Sequence, residues 1–257
     1  MLGWKLFLRA VNLLIENLGE ALRVSLVPYA VLIAASLWLV GEPVTDLSRL
    51  DLENGEATPG GMTAAMSEMA GGLVLTALLN MIVSLWVAVA WHRYALLGET
   101  ARGWIPMMHV PEMLGYFWRV FLIGLLVMLA VVGIMIPLGA VAAAIPSFLP
   151  LVPLIGIFLG SLVFYRLGVV LPARAVGKFM TFGEAMEATR DTNGAIATLA
   201  AISLALPLLF QVPTMLDGDA GPITVIYEGV VGWIALMIGV STLTALYGHL
   251  VEGRPVE

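Results

Sequence analysis

The sequence contains no cysteine. That excludes a disulfide framework and any thiolate metal site, and it leaves no redox clue to compartment. Charge is scarce as well: only 12% of the 257 residues are Asp, Glu, Lys or Arg. Soluble domains carry about 25%, so this chain cannot clothe itself in a water-facing surface. No basic face for nucleic acid is present. The abundance is apolar: 60% of residues are hydrophobic and the mean hydropathy is +0.99. A lipid bilayer is the expected solvent, and charges this few are what lipid permits.

Chemical motifs are lacking too. His92, His109 and His249 stand apart, none in an HExxH pattern and none with a carboxylate at ligand spacing. All three fall near predicted helix ends, where an interfacial place is the plain reading. There is no GxSxG elbow and no GxxxxGK loop for nucleotide. Paired carboxylates deep in an apolar run are missing. The expectation is a protein that is not an enzyme, with no catalytic, cofactor-binding or metal-binding residues and no cofactor.

What is present is an alternation of apolar runs and short polar connections. The expected fold is all-α: a polytopic membrane helical bundle with six transmembrane helices and short cytoplasmic amphipathic helices. The six runs are Leu22–Val40, Leu73–Trp91, Phe117–Ile145, Leu154–Leu171, Ala195–Met215 and Gly229–Tyr247. The first matches the roughly 20 residues that cross the hydrocarbon core. A cleavable signal peptide with Ala34-Ala35-Ser36 is the rival reading there, but the run does not stop at the cut. Phe117–Ile145 is too long for one straight span, and Pro137 and Gly139 are expected to kink or end it.

The stretch Tyr165–Gly194 organises the rest. It leaves an apolar run, turns basic at Arg166, Arg174 and Lys178, and forms a short amphipathic helix. Thr181 and Glu184 fit a capping box, and Asn193-Gly194 supplies a stop. A related pattern opens the chain, where Lys5, Arg9, Asn12 and Glu16 line one stripe of a helix that Gly19 ends or kinks. Such a helix is expected to lie in the headgroup plane. Gly41–Gly72 is the one long polar connection, read as a solvated loop or as a docking surface. Asn54-Gly55 and Pro59-Gly60-Gly61 give it turn chemistry, and Thr63–Met69 is a candidate short helix.

With six spans, eleven of the twelve Lys and Arg residues fall on one side and only Arg49 opposite. Positive loops stay in the cytoplasm. A bacterial inner membrane with both termini cytoplasmic is therefore expected. The chain is one integral domain, 1–257, and three units of a helix plus a hairpin (1–99, 100–180, 181–257) are a candidate repeat. Phe7, Ala10 and Gly19 match Phe182, Ala185 and Gly194 at a constant offset of 175.

The segment LPARAVG followed by TFGEAMEATR, on six spans, resembles bacterial inner-membrane proteins of unknown function. These are related to the membrane domain attached to some glycerophosphodiester phosphodiesterases. The resemblance implies fold and location alone. The phosphodiesterase domain has no counterpart expected in these residues, and no catalytic residue carries over.

Two functional readings follow. The first is a non-enzymatic protein that binds lipid or a membrane-protein partner, with a homo-oligomer as one form of it. It rests on small-residue packing faces: Gly156 and Gly160 at GxxxG spacing, and Ala197, Ala201 and Ala205. The second is a transporter or permease for a small solute. Its candidate polar groups are Asn80, Arg166 and Glu228. Convergence of those three on one cavity would favour transport. Contacts to headgroups or neighbouring backbones would favour binding.

Overall fold

The computed structural model describes residues 1–53, 59–101, 103–217 and 222–256. The Asn54-Gly55 turn, Arg102 and Asp219 lie outside them. Among the described residues the fold is all-helical, with nine α-helices and one 3-10 turn. Five of the helices are long and apolar enough to cross a membrane. These are the helices of an integral membrane protein.

Helix α1 (Leu2–Glu16) carries the expected polar stripe, with Lys5, Arg9, Asn12 and Glu16 all exposed. Its opposite face is covered by protein. Gly3, Leu6, Ala10 and Leu14 are buried against α8 (Asn193–Asp217) and α9 (Pro222–Leu250). An apolar stripe seeks an apolar neighbour, and protein serves as well as lipid. A Cβ at Gly3 would meet the Ala195 carbonyl oxygen and Thr198 Cβ, each at 2.6 Å, so only glycine admits this approach. The break after α1 falls at Asn17, not Gly19. The Asn17 amide donates to the Leu13 carbonyl at 2.8 Å and accepts from the Tyr94 hydroxyl.

Helices α2 (Leu18–Glu53) and α3 (Pro59–Leu97) pack along one another as a hairpin. At about 1.5 Å per residue they are about 54 and 58 Å long, far beyond a hydrocarbon core of about 30 Å. Most of Gly41–Gly72 is therefore helix rather than loop. Polar composition there reflects solvent, and helices persist in water when a partner helix runs beside them.

Helix α4 (Val110–Ala144) has Pro111 and Glu112 in its first turn. It runs through Pro137 and stops only before Pro146. An internal proline deletes one backbone bond, which a membrane helix tolerates. Pro146–Phe148 forms the 3-10 turn into α5 (Leu151–Leu167). At 17 residues, α5 is about 25 Å long and shorter than the run Leu154–Leu171 implied. The helix breaks at Gly168, where a Cβ would come within 2.9 Å of Leu243 on α9. The chain then turns into α6 (Val170–Ala175), whose Val170, Leu171, Pro172, Ala173 and Ala175 are buried. The basic stretch thus has an apolar, fully packed core of its own.

Helix α7 (Phe182–Ala188) carries the capping box in full: Glu184 N–H donates to Thr181 Oγ1, and Thr181 N–H donates to the Glu184 carboxylate at 2.7 Å. The three units are unequal. The first opens with a 15-residue helix and the third with a 7-residue one. No helix is assigned to the described residues between Gly98 and His109.

The core is concentrated at one end, here termed basal. Trp91, His92, Leu171, Ile196, Leu199, Leu246 and Tyr247 are all buried there. The N-terminal helix and the C-terminal tail meet at that end: Arg9 and Leu13 share a crevice with Gly248, His249 and Arg254. At the opposite, distal end apolar side chains stand open, including Trp38, Ile136, Leu149, Leu209 and Met215.

Candidate binding cleft

The basal end is stitched by polar bonds that hydropathy alone does not reveal. Trp91 and His92 close the apolar run Leu73–Trp91, where aromatic and basic residues read as an interfacial belt, yet both are fully buried. The Trp91 indole donates to Ser241 Oγ at 2.8 Å. Thr244 Oγ1 gives its one hydrogen to the Val240 carbonyl at 2.9 Å, so it accepts from His92 Nδ1–H at 2.8 Å. His92 Nε2 is then the acceptor for the Tyr116 hydroxyl at 3.3 Å. A neutral imidazole thus ties α3 to α9 and α4, with both ring nitrogens satisfied. The hydroxyls of Ser241, Thr242 and Thr244, so close in sequence, were the signal that this span faces polar partners.

The basal bases are similarly committed. Arg93 pairs with Glu99 at 2.6 Å and donates to the Ala175 carbonyl at 3.2 Å. His109 Nε2 lies 3.1 Å from the same carboxylate. Glu252 accepts from Lys178 at 3.0 Å and from Arg254 at 2.8 Å. The Glu252 hydrogen bond, with the nearby Tyr247 and Glu252 charges, holds the Lys178 ammonium above its usual value. Arg254 also donates to the Ala95 and Leu96 carbonyls.

Toward the distal end α8 and α9 barely touch. Between them lies a cleft of about 390 Å³. Leu199, Ile202, Leu206 and Phe210 of α8 face Val231, Gly232, Ala235 and Gly239 of α9. Phe7 of α1 reaches its basal end. There the Tyr165 hydroxyl pairs with Ser203 Oγ at 2.6 Å. Gln211, Thr214, Tyr227 and Glu228 edge the distal end. The Tyr227 hydroxyl donates across to the Phe210 carbonyl at 2.8 Å, strapping the two helices. From Glu228 to Thr242 the lined face of α9 covers 15 residues, about 22 Å of helix. A Cβ at Gly232 or Gly239 would meet nothing within 4 Å, so the small residues leave real space. A second hollow, between α4 and α5, has Ser161 as its one polar lining side chain and offers no such rim.

The sequence-predicted residues do not converge. Glu228 lines the rim of the cleft and is exposed. Asn80 stands on the exposed face of α3 and accepts from Ser84 of the same helix at 3.3 Å. Arg166 donates to the Thr189 carbonyl at 3.3 Å and to the Asn193 side chain, fastening α5 to the start of α8. Gly156 and Gly160 are buried against α4. A Cβ at Gly156 would strike Met135 at 2.1 Å, and one at Gly160 would press on Val127 and Val131 at 3.2 Å. Ala201 and Ala205 are exposed and Ala197 is half-buried. The inward face of α8 is Ala195, Ile196, Leu199 and Ala200 instead. Small-residue spacing alone cannot say which face of an apolar helix turns inward. Sequence reasoning missed Phe7, Gln211, Thr214 and Tyr227, because no local pattern foretells that two adjacent helices will part.

Among the described residues no three His, Asp or Glu side chains are grouped to hold a metal ion. Comparison with known protein families, curated proteins and solved structures returns no match for this chain.

Proposed function

We propose that this is a non-enzymatic membrane protein that holds a lipid, with the acyl chain in the α8–α9 cleft and the polar end at Gln211, Thr214 and Glu228. The observation that carries this reading is the cleft itself: an apolar floor, with the side chains of Gln211, Thr214 and Glu228 at its distal edge and the Tyr165 and Ser203 hydroxyls at its basal end spent on one another. Binding sites for small amphiphiles are concave and mainly apolar, with few polar groups to fix orientation. Transport is the less favoured reading, because Asn80, Arg166 and Glu228 occupy three separate places.

The same proposal has the chain cross a bacterial inner membrane six times with both termini cytoplasmic. The short helix α5 makes one of the crossings by local thinning of the bilayer. Support comes from the meeting of the N-terminal helix and the C-terminal tail at one end, and from the basic residues gathered there. The LPARAVG and TFGEAMEATR resemblance lends this reading an architecture, not a chemistry. A reporter fused after Glu257 and active outside the cell overturns the orientation.

The cleft is tested by native mass spectrometry of protein extracted in lipid nanodiscs. A retained lipid is expected on the native chain. It is lost from Gly232→Leu with Gly239→Leu, which carry side chains into the cleft at positions where an added Cβ meets nothing within 4 Å. Equal retention by both proteins would remove the cleft as the binding site.

A further inference from the structure

Two basic side chains stand together on helices other than α8 and α9. Arg119 of α4 and Arg174 of α6 converge on one turn of α4. Arg119 Nη1 donates to the Gly115 carbonyl at 3.4 Å. The Arg174 guanidinium lies flat on Gly115, where a Cβ would come within 2.0 Å of its Nε. Arg174 Nη2 donates to the Pro111 carbonyl at 3.1 Å. Both side chains therefore sit over the single turn of α4 from Pro111 to Gly115. Among the described residues neither makes an ion pair, whereas Arg93, Lys178 and Arg254 each have a carboxylate partner. Glu112, in the first turn of the same helix, pairs with neither.

Holding two cations together without a counter-ion is unfavourable unless an anion joins them. Each guanidinium has five N–H donors and spends one on a backbone carbonyl. The rest suit the planar, bidentate capture of a phosphate oxygen pair. The surroundings match the headgroup level of a membrane. The Phe179 ring covers the Arg119 guanidinium at 5.0 Å and is itself 79% exposed. Leu114 and Trp118 stand exposed on the neighbouring face of α4. Aromatic side chains gather at that level, and basic pockets between membrane helices on the cytoplasmic side take anionic lipid headgroups.

We propose that Arg119 and Arg174 form a binding site for a phosphate group, supplied by an anionic lipid headgroup or by a soluble phosphate. The site does not depend on the α8–α9 cleft and would stand if that reading failed.

The test uses the full chain, freed of lipid in mild detergent. One arm returns it to nanodiscs of phosphatidylglycerol mixed with phosphatidylcholine, and native mass spectrometry counts the phosphatidylglycerol retained. The other arm adds inorganic phosphate in detergent and reads the melting temperature. Arg119→Gln and Arg174→Gln keep a donor for the backbone carbonyls, and their own melting curves report folding. Each removed charge is expected to weaken the lipid about fivefold. Arg119→Lys and Arg174→Lys separate fork geometry from charge. Arginine-dependent retention of phosphatidylglycerol identifies the lipid as the source. An arginine-dependent shift with phosphate alone identifies a soluble ligand. If folded glutamine variants match the native chain in both arms, no phosphate site exists. The Gly232→Leu, Gly239→Leu chain serves as control, since it empties the cleft and leaves both arginines in place.

Discussion

Two helix pairs invite comparison. The pairs α2–α3 and α8–α9 are each made of two apolar helices joined at the distal end. The first pair is closed along its length, and the second is parted. Hydropathy does not separate them: their spans have mean hydropathies of 1.8 and 2.3 in one case and 2.1 and 1.9 in the other. The difference is a third party. Helix α1 sits against both α8 and α9 at the basal end and places Phe7 at the cleft's floor. In lipid, apolar side chains gain no hydrophobic advantage from meeting each other rather than acyl chains, so packing shape decides. A wedge at one end is then enough to hold two spans apart.

The strongest way to break the comparison is Gly3→Leu. The new side chain meets Ala195 and Thr198, and overpacking of this kind costs about 3 kcal/mol. The expected outcome is a lowered melting temperature with α1 released. Because the chain has no cysteine of its own, one introduced at Leu6 reports the release directly. It should label slowly in the native chain and fast in the variant. Slow labelling in both would mean that the seat of α1 is not what holds the helices apart.

A smaller effect is expected from His92→Ala. It leaves the Tyr116 hydroxyl without its acceptor and removes the donor to Thr244, at a cost of about 2 kcal/mol. Urea or thermal melts in detergent check it. A neutral result would show that water replaces the ring and that the basal end is looser than the buried contacts imply. Smaller again is the filling of the cleft by Gly232→Leu and Gly239→Leu. Stability should move by no more than about 0.5 kcal/mol while lipid retention falls. A large loss of stability would instead mark the cleft as already filled by the protein.

The smallest effect concerns α7, which leads into α8. The Thr181 N–H and hydroxyl hold the Glu184 carboxyl below its usual value. Its folded value being depressed, the contribution to stability is present above the ordinary carboxylate pKa of 4.5. It is lost as pH falls through the folded value. Thr181→Ala should therefore narrow the difference in melting temperature between pH 7 and pH 3. An unchanged difference would show that α7 is held by Ala185 and the contacts of Arg166 alone.

Several features were legible without coordinates because their causes are local. Thr181 and Glu184 are three residues apart, and the capping box needs nothing further. The polar stripe of α1 follows from helical period. The misreadings share a cause as well. Trp91 and His92 read as interfacial because their partners, Ser241 and Thr244, are far along the chain. The alanines at 197, 201 and 205 share a face, but no local signal told which face would pack. Arg166 read as a candidate polar group for transport, and its partner carbonyl belongs to Thr189, 23 residues further along the chain.

The sequence by itself determined that the chain is helical and lives in lipid, because apolar content and the lack of charge act on every residue independently of its neighbours. It also determined which end is basic, since charges are read off directly. Only the tertiary structure decided that one face of α1 is buried in protein, that α8 and α9 part, and that Arg174 of α6 packs on Gly115 of α4. Protein and lipid are almost equally apolar surroundings. A hydrophobic pattern fixes that a face is covered, and shape alone fixes by what.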